Sequence, residues 1–412
     1  MAINSHLKNS LVVVVFVVFG GVSALSAVAD NSSAPTATPE EAKIKHWGMP
    51  EIGLSFTDIP ELEKAYVDAT PSDMKDGIPV GKLNTSESNK DILFTLAKEI
   101  FKGKHGNYDS LLIAHNGKLV FESYYKRGRV DLSHPQSSAT KTYTGLALGR
   151  AIQLGYLSMA DLDKPVYSFL SELDPAKFVE GVESITLRHA LTMTTGIVLS
   201  QEQWKNIREN PSEFKGQKEV QAMFEQSEPI TPDSQTFRYG TGPGIVMQII
   251  ESVVPDTAEN FIKNELFGKM GITNYDWRTA PNGLPAAGWK ASLTSRDMLK
   301  LGILAQDKGR WRGKQIIPEA YIAEATSRQV YTGDDDIYGG GKDVSNQGYG
   351  YFWWGTDLTY DDKQYVSTSA QGGGGVYIML VDALDLIIVV TAHEREDKTQ
   401  QLVAERILPA FI

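Results

Sequence analysis

Gln136-Ser137-Ser138-Ala139-Thr140-Lys141-Thr142-Tyr143-Thr144 is followed by a helix-like run over residues 145–154 that stops at Gly155. In Ser138-x-x-Lys141, a serine in the first turn of that helix has a lysine three residues on, on the same face. A serine hydroxyl is a weak nucleophile until a neighbouring base takes its proton. The helix N-terminus offers backbone N–H groups and partial positive charge, which suit an oxyanion and favour a neutral amine over an ammonium. Ser-Lys pairs are a known variant of the serine-nucleophile scheme. Alone, the pattern is better explained by a capping serine beside a surface lysine. Two further stretches change the odds.

The first is Phe237-Arg238-Tyr239-Gly240-Thr241-Gly242-Pro243-Gly244, just before a helix expected to start near Ile245. A tyrosine hydroxyl near an ammonium can be held as phenolate or relay a proton, which suits a general base and acid. The plain alternative is a tyrosine in a glycine-rich turn. The second is Ala370-Gln371-Gly372-Gly373-Gly374-Gly375-Val376-Tyr377, four glycines entering an apolar strand. Glycines there let a ligand approach the backbone closely. An edge N–H would then complete an oxyanion hole with the N–H of Ser138, an effect of ~3 kcal/mol per donor. The plain alternative is a flexible turn or bulge. It is no phosphate loop, because no Gly-Lys-Ser/Thr follows and a strand, not a helix, comes next.

The rest of the chain places these stretches. Residues 30–45 read as a flexible leader and residues 47–89, punctuated by Pro50, Pro60, Pro71 and Pro79, as an irregular covering segment. Helical spacing marks residues 91–101. A hairpin follows, residues 110–115 and 118–124 around Asn116-Gly117, the strongest short hairpin signal. Residues 156–300 read mainly as helices and loops, with helices at 185–193, 219–224, 245–253, 257–270 and 295–306. The tail returns to strands at 349–354, 375–381 and 386–391, and closes with a helix at 396–408. Strands from both ends around a helical block give an α+β architecture: one antiparallel sheet flanked by helices, with a helical region inserted at about 156–300. Loops 197–236 and 325–350 are expected to set substrate preference.

Composition narrows the function. Lys8, the apolar run of residues 11–19 and Ala27-Val28-Ala29 before Asp30 read as a signal peptide over residues 1–29, cleaved after Ala29; an uncleaved membrane anchor is the alternative. Its loss removes one charged residue, Lys8, taking the formal charge from −11 to −12. Such acidity is a poor match for nucleic acid or an anionic membrane surface. The absence of cysteine excludes disulfides, thiolate catalysis and a lipidated cysteine. A periplasmic or secreted protein, without stable membrane insertion, is expected. The histidines, at 6, 46, 105, 115, 134, 189 and 393, show no metal-ligand spacing. His134 is near enough to Ser138 in sequence to reach a site there, against the simpler reading as a loop histidine. No G-x-S-x-G elbow exists. Tyr349, Tyr351, Trp353 and Trp354 are candidates for a cleft wall, about half of them for the core.

In this order, Ser138-x-x-Lys141, Tyr239-x-Thr241 and the glycine-rich strand resemble the layout of the penicillin-recognising serine hydrolases. Residues 109–122, 185–196 and 292–300 carry supporting phrases, and the likeness spans roughly residues 90–410. The chain is similar to the branch with class C β-lactamases, D-alanyl-D-alanine carboxypeptidases and their esterase and amidase relatives. It looks most like the 6-aminohexanoate-dimer hydrolase type. The resemblance implies a β-lactamase/transpeptidase-like fold with the site in a cleft between an α/β region and a helical one. Ser138 would be acylated, Lys141 would hold or accept its proton, and Tyr239 would serve as general base and then acid. The N–H groups of Ser138 and Val376 would form the oxyanion hole, with Gly374, Gly375 and Thr241 beside the substrate. It implies no metal or organic cofactor, and a small amide or ester as substrate. Thr241 replaces the asparagine of lactamases, and Gly373-Gly374-Gly375 replaces their Lys-Thr-Gly or His-Thr-Gly. Glycine offers a lactam carboxylate neither cation nor hydroxyl, forfeiting ~1.5–3 kcal/mol, so efficient lactam hydrolysis is not expected. The alternatives are a D-alanyl-D-alanine carboxypeptidase or penicillin-binding enzyme, and a non-catalytic ligand-binding relative.

Overall fold

A computed structural model describes residues 33–412. The expected signal peptide lies outside the described residues.

Strand-forming runs from the two ends of the chain meet in one nine-stranded sheet. From the N-terminal side come β1 (Tyr66–Asp68), β2 (Tyr108–His115) and β3 (Lys118–Tyr124). From the C-terminal side come β4 (Val330–Tyr331), β5 (Val344–Tyr349), β6 (Trp354–Tyr360), β7 (Lys363–Gly372), β8 (Val376–Val381) and β9 (Leu386–Ala392). Their order is β1-β3-β2-β9-β8-β7-β6-β5-β4, antiparallel throughout. The ends are sewn together where β9 pairs β2, with Ile388 opposite Ile113 and Val389 opposite Leu112. The Asn116-Gly117 turn closes the β2–β3 hairpin with both residues at positive φ (51° and 70°), as a primed turn requires.

Alternation along the strands gives the sheet two apolar faces. Among the helices, those that frame the sheet and the site are α1 (Glu87–Phe101), α2 (Thr140–Gln153), α3 (Lys218–Gln226), α4 (Gly242–Val253) and α5 (Ser295–Gln306). Leu111, Ile113, Ile388 and Val390 face α1 and the helical tail around Val403 and Ile407. Leu112, Ala114, Ile387 and Val389 face the larger core, which holds α2, α4 and α5. Arg296 on α5 forks onto Glu122 of β3 at 2.8 and 2.6 Å, and both side chains are buried. Removing one partner of such a pair costs about 3–5 kcal/mol. Helix α2 is buried from Thr140 to Ile152. Gly149 makes this possible, since a Cβ there would lie 2.6 Å from the Ile317 side chain and 2.7 Å from Tyr321.

Several expected elements differ in extent. Ser86 caps α1 by accepting the Asn89 N–H, so that helix starts before residue 91. The helix expected over 257–270 is short α (Ala258–Phe261), then π (Ile262–Phe267), then 3-10 (Gly268–Met270). Residues 349–354, expected as a strand, form the corner between β5 and β6, where Phe352 takes a φ of 62° and the Gly350 N–H bonds the Trp353 carbonyl. The closing helix begins at Thr399 because the Asp397 carboxylate takes the Thr399 N–H. Residues 33–45, expected to be a flexible leader, are held on the body: Val130 N–H donates to Pro35 O, Ala37 N–H to Asp131, and Arg129 pairs with Glu41.

Candidate active site

Ser138 sits in a single 3-10 turn, Ser137–Ala139, that runs directly into α2. The turn is fixed from both sides. Gln136, wholly buried, donates its N–H to Ala291 O and its side-chain amide to His134 O, and accepts from the Tyr143 hydroxyl at 2.5 Å. Thr140 Oγ1 donates to Ser137 O, which sits at a φ of 47°, an uncommon left-handed position for a serine.

One helical turn on, Lys141 Nζ lies 3.0 Å from Ser138 Oγ and 2.9 Å from the carbonyl of Gly288. The lysine is buried, and burial lowers its pKa to about 8. A neutral amine there keeps the bond to Gly288 O through its own hydrogen and leaves its lone pair for the serine proton.

Tyr239 approaches from the loop before α4. Arg238 N–H donates to Met193 O, and Gly242 abuts Ala190 O so closely that a Cβ would lie 1.9 Å from it. The ring packs on Trp354 (5.6 Å) and Tyr349 (6.2 Å), and Lys141 Nζ stands 4.6 Å from its centroid. The residue as a whole is 41% exposed, but burial of the hydroxyl raises its pKa to about 12, with a hydrogen bond to Ser138 acting against it. At neutral pH the phenol therefore keeps its proton. Thr241 Oγ1 lies 3.1 Å from Thr195 Oγ1 at the start of α4.

Two cavities share Ser138 and Tyr239. The larger, about 700 Å³, also has Lys141 and Thr241 in its wall. The smaller, about 240 Å³, is closed by Tyr338, Trp354, Gln371, Gly372 and Gly373. Gly372 ends β7 against the nucleophile turn, where a Cβ would lie 2.2 Å from Gln136 O. The structure thus brings Ser138, Lys141, Tyr239 and Thr241 together. It does not bring Gly374, Gly375 or Val376 to either cavity. Gly373-Gly374-Gly375 are the turn that leads from β7 into the apolar strand β8, and it is the end of β7 that lines the smaller cavity beside Ser138. Val376, fully buried, lies across from Gly372 on the next strand, and the Gly374 and Gly375 N–H groups both donate to Tyr338 Oη, at 2.9 and 3.0 Å.

The other candidates sort cleanly. His134 is buried between Pro135 O and Asp109, which His393 also bonds. Asp109 is fully buried, and despite that burial the bonds from His134 and His393 hold its carboxyl below the usual range. Both histidines are packing groups behind the site. Of the aromatic quartet, Trp354 lines the smaller cavity while Tyr349, Tyr351 and Trp353 are core.

The beta-lactamase family model matches residues 104–410. The chain belongs to the beta-lactamase family. This is a family of serine hydrolases whose fold is the β-lactamase/transpeptidase one. A search of curated proteins finds no match. Among solved structures, a protein assigned as a 6-aminohexanoate-dimer hydrolase from Bacillus anthracis is 16% identical (TM-score 0.57, covering 76% of this chain and 80% of that one). A class C beta-lactamase is 16% identical (TM-score 0.57; 79% and 97%). EstCE1, a hydrolase with promiscuous acyltransferase activity, is 15% identical (TM-score 0.59; 79% and 100%). At these identities the likeness is one of fold.

Sequence reasoning missed part of this beta-lactamase-family cleft. His46, Trp47 and Gly48 from the N-terminal segment and residues 285–291 line the larger cavity. Trp47 is held edge-on to Phe56 and His134, at 5.2 and 5.5 Å. An isolated tryptophan beside Pro50 was the one available signal, and it carries no address. Expected loops 197–236 and 325–350 do contribute Trp204, Glu219, Met223 and Tyr338.

Proposed function

We propose that this protein is an exported hydrolase that cleaves an ester or amide through an acyl-Ser138 intermediate. The observation that carries the reading is a buried lysine, with its pKa lowered to about 8, 3.0 Å from a serine hydroxyl at the wall of a cavity. Ser138 Oγ attacks the carbonyl carbon as its proton passes to neutral Lys141. The oxyanion so formed is bonded by backbone N–H groups, that of Ser138 and one from the end of β7 at Gln371–Gly373, in place of the Val376 N–H. Collapse expels the alcohol or amine, which takes a proton from the Tyr239 hydroxyl; Lys141 restores it. Water then gives a proton to Lys141, attacks the acyl carbon and releases the carboxylic acid, and Ser138 recovers its hydrogen. Tyr239, protonated at neutral pH, serves as donor and relay, and Lys141 as base. Without a cation at the glycine turn, carboxylate-bearing lactams are poor substrates. The test is turnover of p-nitrophenyl acetate: wild type hydrolyses it, and Ser138→Ala falls to the uncatalysed rate. Equal turnover by the two proteins refutes the reading.

A further inference from the structure

Behind the nucleophile turn, Asp109, His134, His393 and Arg127 form one hydrogen-bonded cluster. Neither histidine lines either cavity, yet His134 does more there than pack. The hydrogens of the cluster can be counted. Arg127 Nη1 lies 2.5 Å from His393 Nε2, and a guanidinium only donates, so that nitrogen accepts. His393 therefore carries its hydrogen on Nδ1 and donates it to Asp109 Oδ2 at 2.8 Å. The other oxygen, Oδ1, accepts the Arg127 N–H at 3.0 Å. His134, buried, faces an acceptor at both ring nitrogens: Pro135 O lies 2.9 Å from Nδ1, and Asp109 Oδ2 lies 3.1 Å from Nε2. Asp109, its carboxyl held below the usual range, is an ionised acceptor. His134 thus donates twice, and both of its ring nitrogens bear hydrogen.

The bond to Pro135 O bears on the nucleophile. That carbonyl and the Gln136 N–H belong to one peptide, and the N–H donates to Ala291 O, so the peptide is gripped at both ends. The next residue, Ser137, occupies the left-handed region at a φ of 47°. Such a conformation costs a serine free energy and persists only where its surroundings over-determine it. Asp109 at Nε2 fixes the orientation of the ring, the usual part of a carboxylate beside a histidine. We propose that His134, aimed by Asp109, is a positioning residue for Ser138: its Nδ1–H pins Pro135 O and so holds the serine hydroxyl within reach of Lys141. Without that bond the turn relaxes at Ser137 and carries Ser138 Oγ away from Lys141 Nζ. The consequence for rate rests on the hydrolase reading; the consequence for geometry does not.

Two replacements separate the ring nitrogens, because an asparagine amide N–H stands where Nδ1 was and a glutamine amide N–H where Nε2 was. His134→Asn keeps the bond to Pro135 O, and His134→Gln keeps the bond to Asp109. In His134→Gln the saturating single-turnover rate of acylation by p-nitrophenyl acetate should fall about 10- to 100-fold, with the half-saturating concentration within about twofold of wild type. His134→Asn should stay within about threefold of the wild-type rate. Packing alone gives the reverse order, since asparagine leaves the larger void. That reverse order, or equal losses in the two variants, overturns the inference. Crystal structures of the variants decide it without turnover: Ser138 Oγ should keep its 3.0 Å bond to Lys141 Nζ in His134→Asn and leave hydrogen-bond range in His134→Gln. An unmoved serine in His134→Gln overturns it. Should a variant fail to fold, NMR of the imidazole nitrogens in the wild-type protein decides it: His134 should bear hydrogen on both at neutral pH, and a bare nitrogen on either side of that ring overturns it. A wild type inert toward esters, with the serine displaced only in His134→Gln, would leave the positioning role standing and sink the hydrolase reading alone.

Discussion

Ser138 and Lys141 set the pH behaviour of the site. Lys141 has its pKa lowered to about 8 by burial, so the amine is protonated and unable to accept the serine proton well below that value. Above it the amine is free. Single-turnover acylation by p-nitrophenyl acetate should therefore rise about tenfold per pH unit below the lowered pKa and level off above it. The Lys141→Arg variant, whose guanidinium stays charged, should be slow and nearly flat over the same range. A flat wild-type profile would remove Lys141 as base. This pair was legible in the sequence because its geometry is local: residues three apart on one helical turn face the same way whatever the rest of the chain does. Tyr239 was legible only through its place in the order of motifs. The proton it carries was not, since burial by Trp354 and Tyr349 is set by chain more than a hundred residues on.

At the scale of elements, the contact that positions the site is β7 against the turn before α2. Gly372→Ala would put a Cβ 2.2 Å from Gln136 O, a backbone atom with no freedom to move aside. We expect turnover to fall by about 10- to 100-fold and stability to drop by about 1–3 kcal/mol, read from ester hydrolysis and thermal melting. Gly373→Ala is the comparison at the same cavity wall: it keeps the backbone N–H, and its Cβ meets nothing within 4 Å, so it should lose less than Gly372→Ala. Equal activity in the two variants would mean that β7 does not set the geometry at Ser138. The β2–β3 hairpin was readable from Asn116-Gly117, and α5 from its Thr294 cap. β7 was not. Its Ser-Thr-Ser run lacks an apolar alternation, and consecutive glycines give no side-chain period from which to tell turn from strand, hence the displaced expectation for Gly374, Gly375 and Val376. The aromatic run at 349–354 misled in the opposite sense: strand-prone residues fill a corner because tertiary packing of Tyr349, Tyr351 and Trp353 outweighs propensity.

Across the whole molecule, the two ends of the chain build the sheet and the interior segment builds the opposing wall of the cleft, an arrangement legible from strand runs at both ends. A covering role was foreseen for residues 47–89, whereas residues 30–45 were expected to be a flexible leader. That the N-terminal segment delivers Trp47 to the cavity depends on long-range contacts with His134 and Asp276, which no local pattern encodes. The central claim, that Ser138 is acylated, is tested most directly by intact-mass spectrometry of the purified protein after brief exposure to p-nitrophenyl acetate, beside Ser138→Ala. The account predicts a single acetyl adduct on wild type, mapped by peptide fragmentation to Ser138, and none on the variant. An adduct on both proteins, or on neither, would contradict it.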